Sequence, residues 1–307
     1  MRAIVLGAGA GGGVPQWNCA CAICRRARAG DPAVPPRTQA SLAVTADDRS
    51  WLIINATPDL RQQIQATPAL HPRREPRDSP ISAVLVTNGD VDALGGLLTL
   101  REGQPFALYA GNDVHAILDA NPVFDVVSRS VVPRRGLALD TAVDVADADG
   151  KPIGLKVTAF PVPGKVPLYM ERDGCDPAGE GGVNIAVTVR QPETGACLVD
   201  MPACAAITDD VRARLDGADA VFVDGTLYRD DELIAAGLGS KTGKRMGHMS
   251  MAEPDGPIAR LGDLAIGRRI FVHINNSNPA LAADSPEHAE VTAAGWTVGT
   301  DGLEVVL

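Results

Sequence analysis

The chain has 307 residues, of which 45% are hydrophobic, so it can fold as one large α/β domain or two smaller ones around a buried core. Charged residues make up 21%, a composition that excludes a wholly disordered chain. The 38 acidic and 28 basic residues give a net charge of −10, which argues against nucleic acids and anionic membranes as partners, because their phosphates would be repelled.

The apolar segments are too short to insert into a membrane. No stretch approaches the roughly 18 consecutive apolar residues that suggest a transmembrane helix. The apolar run at residues 1–6 ends at glycines and is too short for the hydrophobic region of a signal peptide. The sequence therefore predicts a cytoplasmic protein.

Short apolar strands alternate with short helices along the whole chain. Strands are predicted at residues 1–6, 40–45, 51–55, 81–87, 106–110, 155–161, 184–190, 196–200, 218–224 and 269–274. Helices are predicted at residues 59–67, 94–101, 114–118, 209–215 and 257–261. The second and third strands read as a hairpin around a polar turn. This alternation favours two sheets with helices on their outer faces, in a single domain that spans residues 1–307.

Three of the six cysteines fall within six residues, as Cys19, Cys21 and Cys24, and we call this group the cysteine cluster. Three thiolates at this spacing suit a tetrahedral Zn²⁺ whose fourth ligand comes from elsewhere in the chain. The predicted role is structural, in a zinc-binding loop at about residues 17–28. The alternative is a loop of reduced cysteines without metal. The remaining cysteines, Cys175, Cys197 and Cys204, lie far away along the chain.

The loop after the strand at residues 81–87 carries an amide and two carboxylates, Asn88, Asp90 and Asp92, ahead of two glycines. Oxygen ligands at the carboxyl end of a buried strand are well placed to hold a cation. Alternatively, Asp92 is the N-cap of a following helix. The residues alone leave both interpretations open.

This loop resembles the signature H-x-H-x-D-H-x-G-G of the metallo-β-lactamase superfamily. In that resemblance Asn88, Asp90, Asp92 and Ala93 take the metal-facing positions, and only the aspartate Asp92 is retained. The resemblance implies an αββα sandwich, in which two mixed β-sheets carry helices on both outer faces. It also disfavours the dinuclear zinc hydrolysis of the superfamily, because Asn88 and Ala93 stand where histidines are usual.

Three further segments follow in the order typical of the tRNase Z and phosphodiesterase branch of the superfamily. The match implies an acid–imidazole pair of Asp224 and His248, and a metal ligand at His273. His273 has two candidate roles, as a ligand of the active-site metal or as the fourth ligand of the cysteine cluster. In the related phosphodiesterases two histidines three residues apart divide these roles, and here Asn276 occupies the second position.

The chain is identified as a member of the family of coenzyme PQQ synthesis protein B by four segments. These segments are GGGVPQWNC at residues 11–19, ATPDLRQQ at 56–63, LTLREG at 98–103 and HINNSNP at 273–279. The resemblance covers nearly the whole chain. It implies a role in the biosynthesis of pyrroloquinoline quinone (PQQ), with the small-molecule precursor or PQQ as the bound molecule. Other proteins of the pathway are candidate partners, and a homodimer is a candidate assembly.

Two function classes follow from the resemblance. The first is an oxygenase that hydroxylates the tyrosine ring of a glutamate–tyrosine precursor with a single Fe²⁺, because imidazole and carboxylate ligands with open positions are typical of non-haem iron oxygenases. The second is a non-catalytic carrier for transport or release of PQQ or its precursor. Since the precursor carries several carboxylates, Arg61, Arg101, Lys244 and Arg245 are candidate substrate-binding residues.

Overall fold

Two seven-stranded sheets face each other in the computed structural model, which describes residues 1–167, 169 and 184–307. The first sheet contains, in spatial order, β14 (Glu304–Val306), β1 (Arg2–Gly7), β2 (Ser41–Thr45), β3 (Trp51–Ile54), β4 (Ile81–Val86), β5 (Ala107–Ala110) and β6 (Arg134–Gly136). The second contains β13 (Trp296–Val298), β12 (Arg268–Val272), β11 (Ala220–Asp224), β10 (Cys197–Met201), β9 (Ile185–Arg190), β8 (Pro152–Pro161) and β7 (Ala142–Ala146). Cys175 lies outside the described residues.

The two sheets share one pattern of strand directions. In the first sheet, neighbours from β14 to β3 pair antiparallel and neighbours from β3 to β6 pair parallel. In the second sheet, neighbours from β7 to β10 pair antiparallel and neighbours from β10 to β13 pair parallel. Both sheets are therefore mixed. The predicted hairpin is confirmed, since β2 and β3 pair in antiparallel register with Leu42 opposite Ile54.

Alternate side chains of each strand enter different apolar layers. In β3, Leu52 and Ile54 belong to the layer between the two sheets, whereas Trp51 and Ile53 belong to the layer on the outer face. The same alternation appears in β11, where Phe222 points into the shared layer and its neighbours point outward. Because successive strand residues face opposite sides, strands that are apolar throughout must be covered on both faces.

Short helices cover the outer faces. The helices of the described residues are α1 (Ala22–Arg28), α2 (Leu60–Ala66), α3 (Val91–Leu94), α4 (Asn112–Ala120), α5 (Asp209–Leu215), α6 (Glu232–Ala235), α7 (Gly243–Met246), α8 (Pro257–Leu261) and α9 (Pro286–Ala293). Buried residues of α2 and α4 join the outer layer of the first sheet, and those of α1, α5, α8 and α9 join that of the second. The longest, α4, has nine residues, and in the described part of the chain we find no helix with the length and apolar character to cross a bilayer.

The helix predicted at residues 94–101 is present as a 3-10 helix and not as an α-helix. α3 ends at Leu94, and a 3-10 helix continues over Gly95–Leu100. A Cβ on Gly96 would lie only 2.0 Å from the backbone oxygen of Thr57, so this turn packs directly on the chain that precedes α2. The backbone nitrogen of Gly96 donates to the oxygen of Ala56 at 2.8 Å, a bond to a neighbouring segment instead of to the helix.

The layer between the sheets should dominate stability. Phe222 is completely buried there, so Phe222→Ala should lower the free energy of unfolding by about 3–5 kcal/mol through lost transfer energy and a residual cavity. The measurement is urea denaturation, monitored by circular dichroism. Val306→Ala is the control, because Val306 is 66% exposed and its truncation should change stability by no more than about 0.5 kcal/mol. Equal losses for both variants would contradict this account of the core.

Candidate metal centres

A buried carboxylate at the end of β11 connects the ends of neighbouring strands. Asp224 is completely buried, and its Oδ2 accepts from the backbone nitrogen of Cys204 at 2.9 Å and lies 2.6 Å from Nδ1 of His248. Its Oδ1 accepts from the backbone nitrogen of Thr226 at 3.0 Å and from the Thr226 hydroxyl at 2.7 Å. Burial alone would raise the pKa of Asp224, but the charge and hydrogen bond of His248 outweigh it and hold that pKa below its usual value. The predicted pairing of Asp224 with His248 is therefore present in the geometry.

The hydroxyl of Thr226 fixes the orientation of two imidazoles. It lies 2.9 Å from Nδ1 of His273 and 3.1 Å from Nδ1 of His248. Since its single proton goes to the carboxylate of Asp224, the hydroxyl oxygen accepts the proton on Nδ1 of His273. In the neutral tautomer this leaves a lone pair on Nε2 of His273. The rings of His248 and His273 stack with their centroids 5.1 Å apart.

Nε2 of His273 faces a carboxylate from the other sheet. It lies 3.5 Å from Oδ2 of Asp92, and this contact joins the end of β12 to the start of α3. Burial would lower the pKa of His273, but Asp92, Asp224 and Asp90 outweigh it and raise that pKa. Two lone-pair donors at this separation require a proton or a cation between them. Metal bonds of about 2.1 Å place adjacent ligands about 3.0 Å apart in octahedral geometry and about 3.4 Å apart in tetrahedral geometry, so the pair can fit a metal ion.

Asp92 reaches His273 because the facing loop has no side chain there. A Cβ on Gly11 would lie 3.1 Å from Oδ2 of Asp92. The N-cap of α3 is Asp90, which makes no side-chain capping bond, so the interpretation of Asp92 as an N-cap is wrong. Burial opposes ionisation of Asp92, but the hydrogen bond and charge of His273 prevail and lower its pKa.

The remaining positions of the predicted signature offer few ligand atoms. Oδ1 of Asn88 accepts from the backbone nitrogen of Asp90 at 2.9 Å, and the methyl group of Ala93 offers no donor atom. Asp90 lines the cavity, and its pKa is raised, first by burial and then by the charge of Asp92. We call Asp92, Asp224, His248 and His273 the imidazole–carboxylate centre.

The imidazole–carboxylate centre opens into a cavity of about 400 Å³ between the strand ends of the two sheets. Among the described residues of its wall, the basic side chains other than histidine are Lys165 and Lys241. The wall does not include the four basic residues predicted to bind substrate. Arg61 and Arg101 are exposed side chains of α2 and of the turn after residue 100, and Arg245 is exposed on α7. Lys244 pairs with Asp255 at 2.8 Å.

Sequence reasoning missed four residues of this region: Thr226, Asp200, Lys165 and Lys241. The signal for Thr226 was its place two residues after Asp224, where a hydroxyl can bond back to the carboxylate. Asp200 is the last residue but one of β10 and lies close to Pro202 of the cavity wall, and burial raises its pKa to about 7. The lysines carried no local signal, since only the fold brings them to the wall.

The cysteine cluster forms a second place that could hold a metal. The thiol sulfurs of Cys19, Cys21 and Cys24 lie within 4.8 Å of one another, and tetrahedral zinc bonds of about 2.3 Å would place them about 3.8 Å apart. Sγ of Cys19 accepts from the backbone nitrogen of Cys21, and Sγ of Cys21 from that of Cys24, both at 3.4 Å. Burial raises the pKa of the Cys24 thiol to about 11. A metal ion would compete with that proton.

Asn276 closes the fourth side of the cysteine cluster. Its Nδ2 lies 3.1 Å from Sγ of Cys19 and 3.3 Å from Sγ of Cys24. Rotation of the amide by half a turn would present Oδ1 to the same point. His273 instead belongs to the imidazole–carboxylate centre, so the geometry divides the two candidate roles between His273 and Asn276. The five described cysteines form no disulfides.

Comparisons with known proteins agree with this architecture. Residues 50–274 match the beta-lactamase superfamily domain. Coenzyme PQQ synthesis protein B from Rhodopseudomonas palustris is 54% identical over 310 residues, which cover 100% of both chains. The protein of the same name from Methylorubrum extorquens is 52% identical over 307 residues, again 100% of both chains.

Solved structures extend the comparison. The crystal structure of Zn²⁺-bound PqqB from Methylobacterium extorquens matches with a TM-score of 0.95 and 52% identity over 100% of both chains. A diphosphatase from the PhnP family matches with a TM-score of 0.67 at 21% identity, covering 100% of this chain and 97% of its own, and shares the fold. These matches confirm the predicted αββα sandwich of the metallo-β-lactamase type.

The hydroxyl of Thr226 should be essential to the imidazole–carboxylate centre. Thr226→Val keeps the side-chain shape but leaves Asp224 and His273 each short of a buried hydrogen bond. We expect a loss of about 1–3 kcal/mol in the free energy of unfolding of the metal-free protein, measured by chemical denaturation. Thr226→Ser retains the hydroxyl and serves as the control. A Val variant as stable as the Ser variant would disprove the role given to this hydroxyl.

Proposed function

Because the chain belongs to the coenzyme PQQ synthesis protein B family of the β-lactamase superfamily, and its role lies in PQQ biosynthesis, we propose that it is an iron-dependent oxygenase. Its substrate is a glutamate–tyrosine precursor, and its reaction is hydroxylation of the tyrosine ring. One observation carries the proposal: the imidazole of His273 and the carboxylate of Asp92 meet on the wall of a cavity large enough for a small molecule.

The supply of ligand atoms supports one active-site metal instead of two. Nε2 of His273 and Oδ2 of Asp92 converge on one point, and Asp90 lies on the same wall. The side-chain oxygen of Asn88 accepts a hydrogen bond from the backbone nitrogen of Asp90, and Ala93 has no ligand atom. A sparse site of imidazole and carboxylate leaves coordination positions open, which is the arrangement of non-haem iron oxygenases. Dinuclear hydrolysis would need the ligands that are absent at these two positions.

Aromatic hydroxylation requires the activation of O₂, and an Fe²⁺ ion bound in this place would supply that chemistry. The reaction balances when one oxygen atom of O₂ enters the ring and the other leaves as water. That balance consumes two electrons and two protons, so the enzyme needs a two-electron reductant such as ascorbate.

His248 is the residue of this chain best placed to move a proton. Its Nδ1 is held by Asp224 at 2.6 Å, and its ring lines the cavity. With Nδ1 occupied, Nε2 is the atom that can accept a proton from a bound molecule or return one to it. Asp224 orients the ring and stabilises its charged form, and we assign the pair to acid–base catalysis.

The cysteine cluster is proposed to hold a structural Zn²⁺ through Cys19, Cys21, Cys24 and Asn276. The PqqB of Methylobacterium extorquens is Zn²⁺-bound, and the three thiols here lie at distances that suit tetrahedral zinc. This zinc would join α1 and the loop before it to the segment after β12. The cysteines and Asn276 lie more than 250 residues apart in sequence, so the metal would connect distant parts of the chain.

The zinc assignment predicts a loss of metal on removal of one thiol. Cys24→Ala should lower the zinc content of the purified protein by about one equivalent per chain, measured by plasma mass spectrometry, because two thiolates and an amide make a weak site. Cys197→Ala is the matched control, since Cys197 is also buried but lies on β10, outside the cluster. Equal zinc in both variants would rule out the cysteine cluster as the zinc site.

The oxygenase assignment is tested by isotope incorporation. Protein reconstituted anaerobically with Fe²⁺ is mixed with ¹⁸O₂, ascorbate and the glutamate–tyrosine compound, and the product is analysed by mass spectrometry. We expect one ¹⁸O atom in the tyrosine ring. Asp92→Ala and His273→Ala should each reduce the rate by more than about a hundredfold, since changes outside the ligand set alone cost about 10–100-fold.

Asp144→Ala is the control for this experiment, because Asp144 is an exposed residue of β7 on the far edge of the second sheet. Absence of ¹⁸O from the product, together with tight binding of PQQ, would contradict the oxygenase and support a carrier that transports or releases PQQ or its precursor.

A further inference from the structure

A second, smaller cavity lies between the two sheets, next to the cavity of the imidazole–carboxylate centre. It offers about 10 Å³ to the centre of a water molecule, and it shares Ala40, Asn55 and Pro202 with the larger cavity. A space of about 10–15 Å³ by this measure holds one water molecule, provided that at least two polar groups reach it. Asp200 is the one ionisable residue among the described residues that line this space. The polar groups around the small cavity therefore decide whether a water binds there.

The side chain of Asp200 enters the layer between the sheets without a partner. Leu198, two residues earlier on β10, belongs to that layer, and Asp200 points the same way because successive strand residues alternate between faces. Asp200 is 4% exposed, and its carboxyl makes no hydrogen bond or ion pair with the residues that the structure describes. Its neighbours on β9 and β11 are the apolar Val187 and Phe222. Burial is accordingly the only cause that raises the pKa of Asp200 to about 7.

Asn55 presents an amide nitrogen to the same space from the first sheet. It directly follows β3 and has φ +64°, which is uncommon for a residue other than glycine. Its Oδ1 accepts from the backbone nitrogen of Thr87 at 2.9 Å and from the Thr87 hydroxyl at 3.0 Å. Because a backbone N–H can only donate, the first bond identifies the amide oxygen. Nδ2 of Asn55 bonds none of the described residues, so its two N–H groups are left for the cavities that Asn55 lines.

We propose that one water molecule binds in the small cavity between Nδ2 of Asn55 and a protonated Asp200, and that Asp200 is thereby a positioning residue for the loop that carries Asp90 and Asp92. The water accepts from the amide and shares a hydrogen bond with the carboxylic acid, so both buried groups are satisfied without a buried charge. Asn55 holds Thr87 by two bonds, and the loop begins at the next residue. The water would thus connect β10 to that loop, and the inference does not depend on the oxygenase reaction.

The first test detects the proton on Asp200 by infrared spectroscopy of the zinc-loaded protein. At about pH 5.5 the wild type should show the carbonyl stretch of a carboxylic acid that is missing from Asp200→Asn and that shifts when aspartate is labelled with ¹³C. Between about pH 4 and pH 7 the folded chain keeps a proton that the unfolded chain has lost, so the band should disappear with a midpoint near pH 7. Asp149→Asn, in the exposed turn between β7 and β8, is the matched control and should keep the band. A wild-type spectrum without a band that depends on Asp200 would overturn the proposal.

The second test measures the connection to Thr87 by hydrogen exchange. Asp200→Leu keeps the side-chain size but removes its polar atoms, and it should speed exchange at the backbone nitrogen of Thr87 by about tenfold. Asp200→Asn retains a donor and an acceptor and should exchange like the wild type, as should the exposed control Asp149→Leu. Equal exchange rates in the Leu and Asn variants of Asp200 would contradict its positioning role.

A crystal structure of the wild-type protein tests the water itself. It should show one water within hydrogen-bonding distance of Nδ2 of Asn55 and of the Asp200 carboxyl. An empty cavity, or a metal ion bound to Asp200, would disprove the water site. If Asp200→Leu does not fold, this structure and the infrared comparison with Asp200→Asn still decide the proposal.

Discussion

The buried charge of Asp224 is the constraint around which the functional end of the molecule is arranged. A carboxylate without access to water must be satisfied completely, and Asp224 receives bonds from the backbone of Cys204, from Thr226 twice and from His248. Cys204 follows β10 and Thr226 follows β11, so the carboxylate fixes the ends of two parallel strands. Through Thr226 the same constraint reaches His273 at the end of β12. Two members of the imidazole–carboxylate centre, Asp224 and His273, are therefore held at the ends of the neighbouring parallel strands β11 and β12.

The two candidate metal sites are coupled through a few residues after β12. His273 has φ +55°, an uncommon backbone conformation for a residue other than glycine. Ile274 then exchanges backbone bonds with Ala8 and Ala10 of the glycine-rich segment after β1, both at 2.9 Å. Two residues later Asn276 meets the cysteine cluster. The turn at His273 thus aims one side chain at Asp92 while the next residues bind the opposite sheet. A metal held by the cysteines would stabilise this turn, and it would thereby link the two candidate sites.

The part of this arrangement that the sequence could predict depends on local patterns. Continuous apolar strands such as β3 and β11 predict two-sided burial, and the spacing of the cysteine cluster predicts convergent thiols. The resemblance to the metallo-β-lactamase superfamily supplied Asp224, His248 and His273 as candidates. Asp200, Lys165 and Thr226 could not be predicted as site residues, because only the tertiary structure brings them together. Nothing near them in sequence shows that β10, the segment before β9 and the end of β11 meet at one cavity.

The wrong predictions, of the helix at residues 94–101 and of the substrate-binding arginines, have the same physical cause. The helical pattern at residues 94–101 is real, but Gly96 is pressed against Thr57, and that contact tightens the chain into a 3-10 helix. The basic residues Arg61 and Arg101 are candidate carboxylate-binding residues by sequence alone, yet α2 exposes Arg61 to solvent and the turn after residue 100 exposes Arg101. Sequence periodicity indicates which face of a helix or strand is apolar. Which segment packs against that face depends on the tertiary arrangement of the two sheets.

Electrostatics explain why recognition in this protein must be local. A net charge of −10 repels an anionic ligand at long range, but salt screens that repulsion beyond about 8–10 Å. Inside the cavity the screening is weaker, and charges a few ångströms from the ligand decide the sign of the interaction. The described part of the wall carries both carboxylates and lysines, and a bound divalent metal would add two positive charges beside them. The same ion that the centre could use for chemistry would therefore also make the cavity attractive to an acidic metabolite, and metal loading and ligand selection would be linked in one site.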